Sequence, residues 1–302
     1  MNPLLSKPQL TPLLSNDALA RLERMRINAE RRFTNRSRGE HLSGRGGTST
    51  EFHDYRDYAA GDDLRYVDWN IFSRLHRPYL KLYRQEEEMH VVAIVDASTS
   101  MLFDNKLLRA RQLAAAFAMM GLVANERVSI YAPAKQGNSV DRLPPCRGRN
   151  SLRKAFGFLE QVAGGGDAPL EHAIQSVLKH HKGRGIVAVF SDFLTLGDMK
   201  RAFNMFFSAG LEIFAVQILG PSEIDPEVTG DLRFVDAETQ HTLDVSNAAD
   251  LLSIYQEYRL QYQADLEQMC LRREGKFLSI SADETVETVL FDLMRRRGWV
   301  TS

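Results

Sequence analysis

Oxygen-bearing side chains follow two apolar segments of the chain, at the point where each segment ends. Asp96, Ser98 and Ser100 form the pattern D-x-S-x-S after the apolar run 91–95, and Asp192 follows the apolar run 186–190. Positions 96, 98 and 100 alternate along an extended turn, so their oxygens can point the same way. Mg²⁺ takes carboxylate and other oxygen ligands and retains some of its waters. The spacing therefore predicts a candidate metal site at Asp96, Ser98, Ser100 and Asp192.

The same residues have a second interpretation that needs no metal. Asp and Ser side chains before a helix often accept hydrogen bonds from its free backbone N–H groups. A D-x-S-x-S string also arises by chance in roughly one chain in ten or twenty, so its position directly after a strand carries most of the weight. The sequence alone leaves metal binding and helix capping both open.

Common enzyme templates are absent from the sequence. It contains no phosphate-binding loop, dinucleotide fingerprint, nucleophile elbow or H-E-x-x-H helix. His172 and His180 lie more than two helical turns apart, and the sequence His180-His181-Lys182 is more typical of charge compensation at a helix end than of a ligand set. We therefore expect no catalytic residues and a protein that is not an enzyme.

The elements that position the candidate site alternate between strands and helices. Apolar, often β-branched runs predict strands at 91–95, 128–131, 186–190, 213–219 and 276–280. Helical spacing of apolar residues predicts helices at 106–124, 151–162, 170–179, 199–207, 251–269 and 286–294. This alternation predicts an α/β fold with a doubly wound, mostly parallel sheet, in which ligands bind beyond the carboxyl ends of the strands.

The chain before this domain is less regular. We predict a flexible tail at 1–15, an N-terminal helix and an extension at 16–88, and the α/β domain at 89–302. The helix is expected to begin after Asn16 or Asp17 and to continue to about residue 33. The segment 79–95 is expected to form a hairpin whose two strands are joined by an acidic turn at 85–88.

Composition excludes several other classes of protein. The 302 residues carry a formal net charge of −1, so no charge excess favours nucleic acid, and the arginines between 21 and 47 are expected on a solvated face. Cys146 and Cys270 are too few for a disulfide framework or a zinc site. No apolar run reaches the roughly 18 residues of a membrane span, and the N-terminus lacks a secretory pattern. We expect a cytoplasmic protein with no transmembrane segment and no nucleic-acid partner.

Two motifs together resemble a known family. The D-x-S-x-S motif, with an acid after a later strand, is similar to the metal-ion-dependent adhesion site of von Willebrand factor A domains. The string at 61–69 resembles the bacterial domain-of-unknown-function family 58, and the likeness covers about residues 38–220. Its signature residues are Gly61, Asp62, Arg65, Asp68 and Trp69. The resemblance implies a von Willebrand A-like, Rossmann-like domain after an N-terminal extension, in a protein commonly encoded beside MoxR-type AAA+ ATPases.

The signature itself has two interpretations. Arg65 and Asp68 lie three residues apart and are expected to form an ion pair, with Trp69 as a buried anchor for the extension. The alternative is that these residues form a surface that faces a partner.

One loop departs from the von Willebrand A pattern. In that fold a threonine completes the metal shell, and the corresponding loop here, residues 164–170, contains no hydroxyl side chain. Asp167 is then either a replacement ligand or the N-cap of the helix at 170. The metal site is accordingly expected to be degenerate, with Mg²⁺ as the candidate cofactor.

Two classes of function fit these observations. The first is a non-catalytic protein–protein interaction module, which the resemblance implies is an adaptor or client of a MoxR-type AAA+ ATPase and binds a further, unidentified protein client. The alternative is a metal-dependent hydrolase or phosphatase that uses the same acidic site. The alternative needs a general base near Asp96, and only His53 or His90 could approach it through folding.

Overall fold

The structure is a computed structural model, and it describes residues 9–29, 50–85, 89–133, 139–165, 170–194, 198–228, 230–235, 241–245 and 251–301. The described residues form two compact units. The small unit comprises residues 50–85, and the large unit comprises all the other described residues.

The helices and strands follow one another in chain order along both units. The helices are α1 (Asn16–Leu22), α2 (Trp69–Leu75), α3 (Lys106–Val123), α4 (Leu152–Gln161), α5 (Leu170–His180), α6 (Met199–Ser208), α7 (Pro221–Ile224), α8 (Leu252–Leu271) and α9 (Val286–Thr288), which continues as a π-helical segment, Val289–Met294. The strands are β1 (Arg26–Ile27), β2 (Thr50–Asp57), β3 (Tyr79–Gln85), β4 (His90–Val95), β5 (Arg127–Pro133), β6 (Val140–Cys146), β7 (Gly185–Ser191), β8 (Leu211–Leu219), β9 (Leu232–Val235), β10 (Thr242–Val245), β11 (Lys276–Ser281) and β12 (Val300–Thr301).

A six-stranded sheet organises the large unit, with the strand order β11-β8-β7-β4-β5-β6. The first five strands are parallel and β6 is antiparallel to β5. The chain leaves β4 toward β5 and later returns to the other side of β4 as β7, so the strand order reverses between β4 and β7. In a sheet of this kind ligands bind beyond the carboxyl ends of the strands at such a reversal.

Helices cover both faces of the sheet. Residues of α1, α3, α4 and α9 form one hydrophobic core with the sheet, and residues of α5, α6 and α8 form the other. Strands β4, β7 and β8 are buried along their whole length, as expected for strands that pack against helices on both sides. The predicted α/β fold with a doubly wound, mostly parallel sheet is confirmed.

The structure differs from the expectations mainly before residue 89. Helix α1 ends at Leu22 rather than near residue 33, and the chain continues into β1, which pairs with β12. Ser15, not Asn16 or Asp17, caps the helix by accepting a hydrogen bond from the Ala18 N–H. Leu13 and Leu14, which fall in the predicted flexible tail, are buried in the core because α1 packs beside α3.

The expected hairpin pairing is wrong. The two predicted strands exist, but β3 pairs with β2 inside the small unit, and β4 pairs with β5 and β7. The apolar run of β4 is suited to a position between two buried strands, which is why β4 belongs to the central sheet. Strand β6 was not predicted because Pro144 and Pro145 lie within it, and proline is compatible with an edge strand.

None of the described helices is both long and apolar enough to cross a membrane.

Two glycines offer a matched test of this packing. A Cβ at Gly185, the first residue of β7, would lie 2.0 Å from the His90 backbone oxygen, whereas a Cβ at Gly157 on α4 would meet nothing within 4 Å. Gly185→Ala is therefore expected to destabilise the fold by about 1–3 kcal/mol or more through overpacking. Gly157→Ala should stabilise it by about 0.5–1 kcal/mol because alanine loses less backbone entropy in a helix. Urea unfolding measures both changes, and equal effects of the two substitutions would contradict this packing.

Candidate functional site

The candidate site lies at the carboxyl edge of the sheet, where β4, β7 and β8 end side by side. Asp96 follows β4, Asp192 follows β7, and Glu223 lies in the short helix α7 after β8. Lys106 is the first residue of α3, which begins after a tight turn at Ser100–Asn105. Three neighbouring strands therefore bring three carboxylates and one ammonium group to the reversal of strand order.

Asp96 is buried and both of its oxygens accept hydrogen bonds within the chain. Its side chain accepts from the Ser98 backbone N–H at 2.9 Å and from the Ser191 hydroxyl at 2.5 Å. Burial, reinforced by the nearby Asp192 carboxylate, raises the pKa of Asp96. The Ser98 and Ser100 hydroxyl oxygens lie 3.1 Å apart and bond to each other. The structure thus brings Asp96, Ser98 and Ser100 together, with the carboxylate turned toward protein donors.

Asp192 is held by a lysine. One of its oxygens accepts from the Leu194 backbone N–H at 3.0 Å, and the other lies 2.8 Å from Lys106 Nζ. The same ammonium lies 2.5 Å from Glu223 Oε1. The Lys106 side chain is only 1% exposed. Burial alone would lower the pKa of Lys106, but the Asp192 and Glu223 carboxylates outweigh burial and raise it. Lys106 therefore remains an ammonium ion inside the protein.

A set of local contacts fixes Glu223 where it meets the ammonium. Its second oxygen accepts from the Gly220 backbone N–H at 2.7 Å. Asp104 accepts from the Ser222 backbone N–H at 3.1 Å and from its hydroxyl at 2.5 Å. A Cβ at position 220 would lie 2.2 Å from an Asp104 oxygen, so glycine is needed for this close approach. The turn after β8 is thereby held against the start of α3.

Sequence reasoning missed Lys106 and Glu223. Glu223 lies 117 residues from Lys106, and nothing in local spacing links them. One signal was available for the lysine. A cation in the first turn of a helix is disfavoured by the helix dipole, so a lysine directly before the apolar run of α3 indicates a compensating anion.

This arrangement does not fit a divalent cation of the von Willebrand A type. Asp192, one of the predicted metal ligands, forms an ion pair with Lys106, and both Asp96 oxygens already accept hydrogen bonds. Within the part of the chain that the structure describes, no cluster of three or more His, Cys, Asp or Glu side chains has the arrangement of a metal site. Asp167 lies outside the described residues. These carboxylate oxygens are of the type that Mg²⁺ prefers, but protein donors already bond to each of them in Asp96 and Asp192.

The histidine considered as a base lies at the opposite edge of the sheet. His90 begins β4 and Asp96 follows its end, which separates them by about 20 Å at roughly 3.3 Å per strand residue. The side chain of His53 is outside the described part of the structure. His90 cannot serve the acidic site, so the hydrolase alternative loses this candidate base.

His90, which is buried, instead pairs with the partly exposed His181. Their Nδ1 atoms lie 3.0 Å apart, and His90 Nε2 lies 2.8 Å from the Ser129 hydroxyl. His181 Nε2 lies 2.7 Å from the Gly183 carbonyl, so it must be the donor there. We assign His181 Nδ1 as the acceptor of the His90 Nδ1–H, and His90 Nε2 as the acceptor of the Ser129 hydroxyl. This network is complete with both rings neutral. His181 is thus not the helix-end charge that the sequence suggested.

The signature residues organise the small unit differently from the expectation. Arg65 pairs with Asp63 at 2.6 Å on an exposed surface, not with Asp68. Asp68 caps α2 through the Asn70 and Ile71 backbone N–H groups. The expected Arg65–Asp68 pair is wrong because the Asp63 carboxylate reaches the guanidinium from two residues away.

Asp68 also joins α2 to the two strands of the small unit. Its carboxylate accepts from the Tyr55 hydroxyl and pairs with Lys81, both at 3.1 Å. Trp69 is 58% exposed and makes an edge-to-face contact with Phe72, so its expected role as a buried anchor is also wrong.

The other two signature residues shape the preceding turn. Asp62 accepts from Arg56 at 2.7 Å and from the Ala59 backbone N–H at 2.8 Å. Gly61 has a φ of +108°, a conformation that residues with a Cβ rarely adopt. The signature string therefore encodes a turn, a helix cap and an ion pair within the small unit.

Comparison with known proteins identifies the family. The family model described as protein of unknown function DUF58 matches residues 54–267. The chain belongs to the DUF58 family. Uncharacterized proteins of Mycobacterium tuberculosis and Mycobacterium bovis are each 25% identical to this DUF58 protein over 286 residues, which span 92% of this chain and 90% of theirs. The family suggested by the sequence motifs is thus confirmed.

Solved structures similar to this DUF58 protein include von Willebrand factor A proteins. The conserved hypothetical protein BatB from Bacteroides thetaiotaomicron is 14% identical, with a TM-score of 0.41 over 69% of this chain and 97% of that chain. A von Willebrand factor type A structure from Catenulispora acidiphila is 14% identical, with a TM-score of 0.35 over 46% of this chain and 35% of that chain.

The neutral histidine pair predicts acid sensitivity of the DUF58 fold. Burial, with smaller contributions from His181 and Arg127, lowers the pKa of His90 from 6.5 to about 3. Neutral His90 contributes its full share of the free energy of unfolding above pH 6.5, the pKa of histidine in the unfolded chain. This contribution is lost as the pH falls from 6.5 toward 3. Its slope approaches about 1.4 kcal/mol per pH unit for one proton. Urea unfolding at several pH values should show a shallower loss in His90→Gln than in the wild type, and parallel curves would exclude this assignment.

Two signature residues, Asp68 and Arg65, are expected to contribute unequally to the stability of the small unit. Asp68→Ala removes the cap of α2 and its links to Tyr55 and Lys81, so proteolysis and amide exchange within residues 50–85 should accelerate several-fold. Arg65→Ala removes only an exposed pair with Asp63 and should leave exchange nearly unchanged. Hydrogen exchange with mass spectrometry compares the two variants, and a larger effect of Arg65→Ala would refute the structural assignment.

Proposed function

We propose that this DUF58 protein is a non-catalytic protein–protein interaction module that acts as an adaptor or client of a MoxR-type AAA+ ATPase and contacts a further protein client. The contact surface in this proposal is the carboxyl edge of the sheet, around Asp96, Asp192 and Lys106. The family resemblance suggests the ATPase as the partner, and the exposed side chains of the structure suggest the contact surface.

The observation that carries the proposal is a group of exposed apolar side chains at this edge. Leu102 is 54% exposed and Phe103 is 56% exposed, and both lie in the turn between Ser100 and α3. Leu194, two residues after Asp192, is 49% exposed. We call these three residues the apolar rim. Exposed apolar side chains cost solvation free energy unless a partner covers them, so a group of them at one edge of a sheet favours an interaction surface.

The bonding within the site supports a role without catalysis. General acid–base chemistry requires a side chain that exchanges a proton with a substrate within hydrogen-bond reach. In the described residues, none of the hydrogen bonds of Asp96, Asp192 and Lys106 involves a histidine, and Lys106 is held as a charged ammonium. Asp192 and Lys106 bond to each other, and Asp96 accepts from Ser98 and Ser191, so these bonds are made within the protein and do not present a base or nucleophile.

The proposal places the contact in the cytoplasm. Cys146 and Cys270 are both free thiols, which is compatible with a reducing compartment.

A binding experiment tests the apolar rim directly. Leu102→Ser should weaken capture of the MoxR-type ATPase of the same organism by about tenfold, since a central apolar contact contributes at this level in protein interfaces. The matched control is Leu271→Ser, because Leu271 is 62% exposed but lies at the far end of α8, beside the start of β11. Purified proteins and biolayer interferometry give the two affinities.

Three outcomes would reject the proposal in distinguishable ways. No ATPase binding by the wild type rejects the adaptor role. Equal affinities for Leu102→Ser and Leu271→Ser reject the apolar rim as the contact. Metal-dependent phosphatase activity that is lost in Asp96→Ala would replace the binding module with the hydrolase alternative.

A further inference from the structure

We infer that Lys106 supplies the positive charge that a divalent cation supplies in a metal-dependent adhesion site, so that the carboxyl edge of this sheet works with a built-in ammonium ion and takes no metal. This inference does not rest on the proposed function, because it concerns the charge balance of the site whichever partner binds there.

The Lys106 ammonium occupies the place between the acidic side chains of this edge. Lys106 Nζ lies between carboxylates from two different elements, at 2.8 Å from Asp192 and 2.5 Å from Glu223. Asp192 is the acid that the sequence pattern assigned to the metal. A buried cation is stable only when opposite charges and hydrogen bonds compensate its lost hydration. The lysine therefore uses the negative charge that would otherwise attract a divalent ion.

Each carboxylate oxygen of Asp96, Asp192 and Glu223 has a hydrogen-bond donor within the protein. Both oxygens of Asp96 accept hydrogen bonds from serine groups, one from the Ser98 backbone and one from the Ser191 hydroxyl. The oxygens of Asp192 and Glu223 that do not meet Lys106 accept from the backbone N–H groups of Leu194 and Gly220. A divalent cation would have to displace a protein donor from each carboxylate that it bound, and Lys106 in addition.

Lys106 is the first residue of α3, a position that is unfavourable for a cation. The first turn of α3 carries the positive end of the helix dipole, which disfavours a cation at residue 106. The side chain is nevertheless almost completely buried there. Among the described residues, the Asp192 and Glu223 carboxylates offset both penalties, which indicates that the position of the lysine is coupled to them.

A second buried lysine in the same sheet provides an internal control. Lys276 begins β11 at the amino edge and donates to the backbone carbonyls of Asn28 and Gly298, with Glu212 at 4.0 Å. Its side chain is 7% exposed, and it lies at the other end of the strands from the acidic residues of the candidate site. Substitution of Lys276 therefore shows the effect of losing a buried lysine at a place where no metal site is proposed.

The experiment measures thermal unfolding of the full chain with MgCl₂ or MnCl₂ and with EDTA. The wild type should give the same Tm in all three conditions. Lys106→Met should have a lower Tm in EDTA, and Mg²⁺ or Mn²⁺ should raise it, because the freed carboxylates then bind a metal only in the folded state. Lys276→Met should also have a lower Tm, but metal should not raise it.

Three results would overturn the inference. A metal-dependent rise in the wild-type Tm that disappears in Asp96→Asn would show that a metal binds beside the lysine. A folded Lys106→Met with no response to metal would show that these carboxylates do not form a latent metal site. If Lys106→Met fails to fold, equilibrium dialysis of the wild type with Mn²⁺ decides, since stoichiometric binding that Asp96→Asn abolishes contradicts the inference and its absence supports it.

Discussion

The buried ion pairs of Lys106 are the interaction on which the carboxyl edge depends. One ammonium group joins the end of β7, through Asp192, to the turn after β8, through Glu223, and it does so from the first residue of α3. Such a buried arrangement contributes little net stability compared with an apolar core, because the charges lose their hydration. Removing one partner, however, typically costs about 3–5 kcal/mol, because the remaining charge is left unpaired. The lysine therefore acts mainly to hold one geometry at this edge.

The burial of Lys106 limits which groups of this edge a partner could contact. A metal site with an open coordination position binds a partner carboxylate directly, but an ammonium that is 1% exposed cannot be reached by a partner. In the proposed contact, a partner therefore meets the groups around the buried charges. Leu102 and Phe103 lie in the turn that precedes Lys106, and Leu194 follows Asp192. The ion pairs and the apolar rim are thus built on the same turns, so the buried charges position the exposed apolar side chains.

The sequence predicts the sheet well and its polar contacts poorly, for a physical reason. Runs such as 186–190 are apolar and β-branched because both faces of β7 are covered, and this requirement is visible in the run itself. Burial of Lys106 depends instead on a carboxylate that lies 86 residues away and another that lies 117 residues away. The same limit explains the small unit, where Asp68 bonds to Lys81 rather than to Arg65. Local spacing identifies which residues are near a strand end, but only the fold determines which donors and acceptors meet.

The two edges of the sheet hold different sets of buried polar groups. At the amino edge, His90 and His181 bond to each other as neutral rings, and Lys276 donates to two backbone carbonyls with the Glu212 carboxylate 4.0 Å away. At the carboxyl edge, the carboxylates that follow the neighbouring strands β7 and β8 meet a single ammonium group. Concentrated charge of this kind is costly to bury. It lies at the reversal of strand order, where α/β sheets bind their ligands, and this position agrees with the contact surface that we propose.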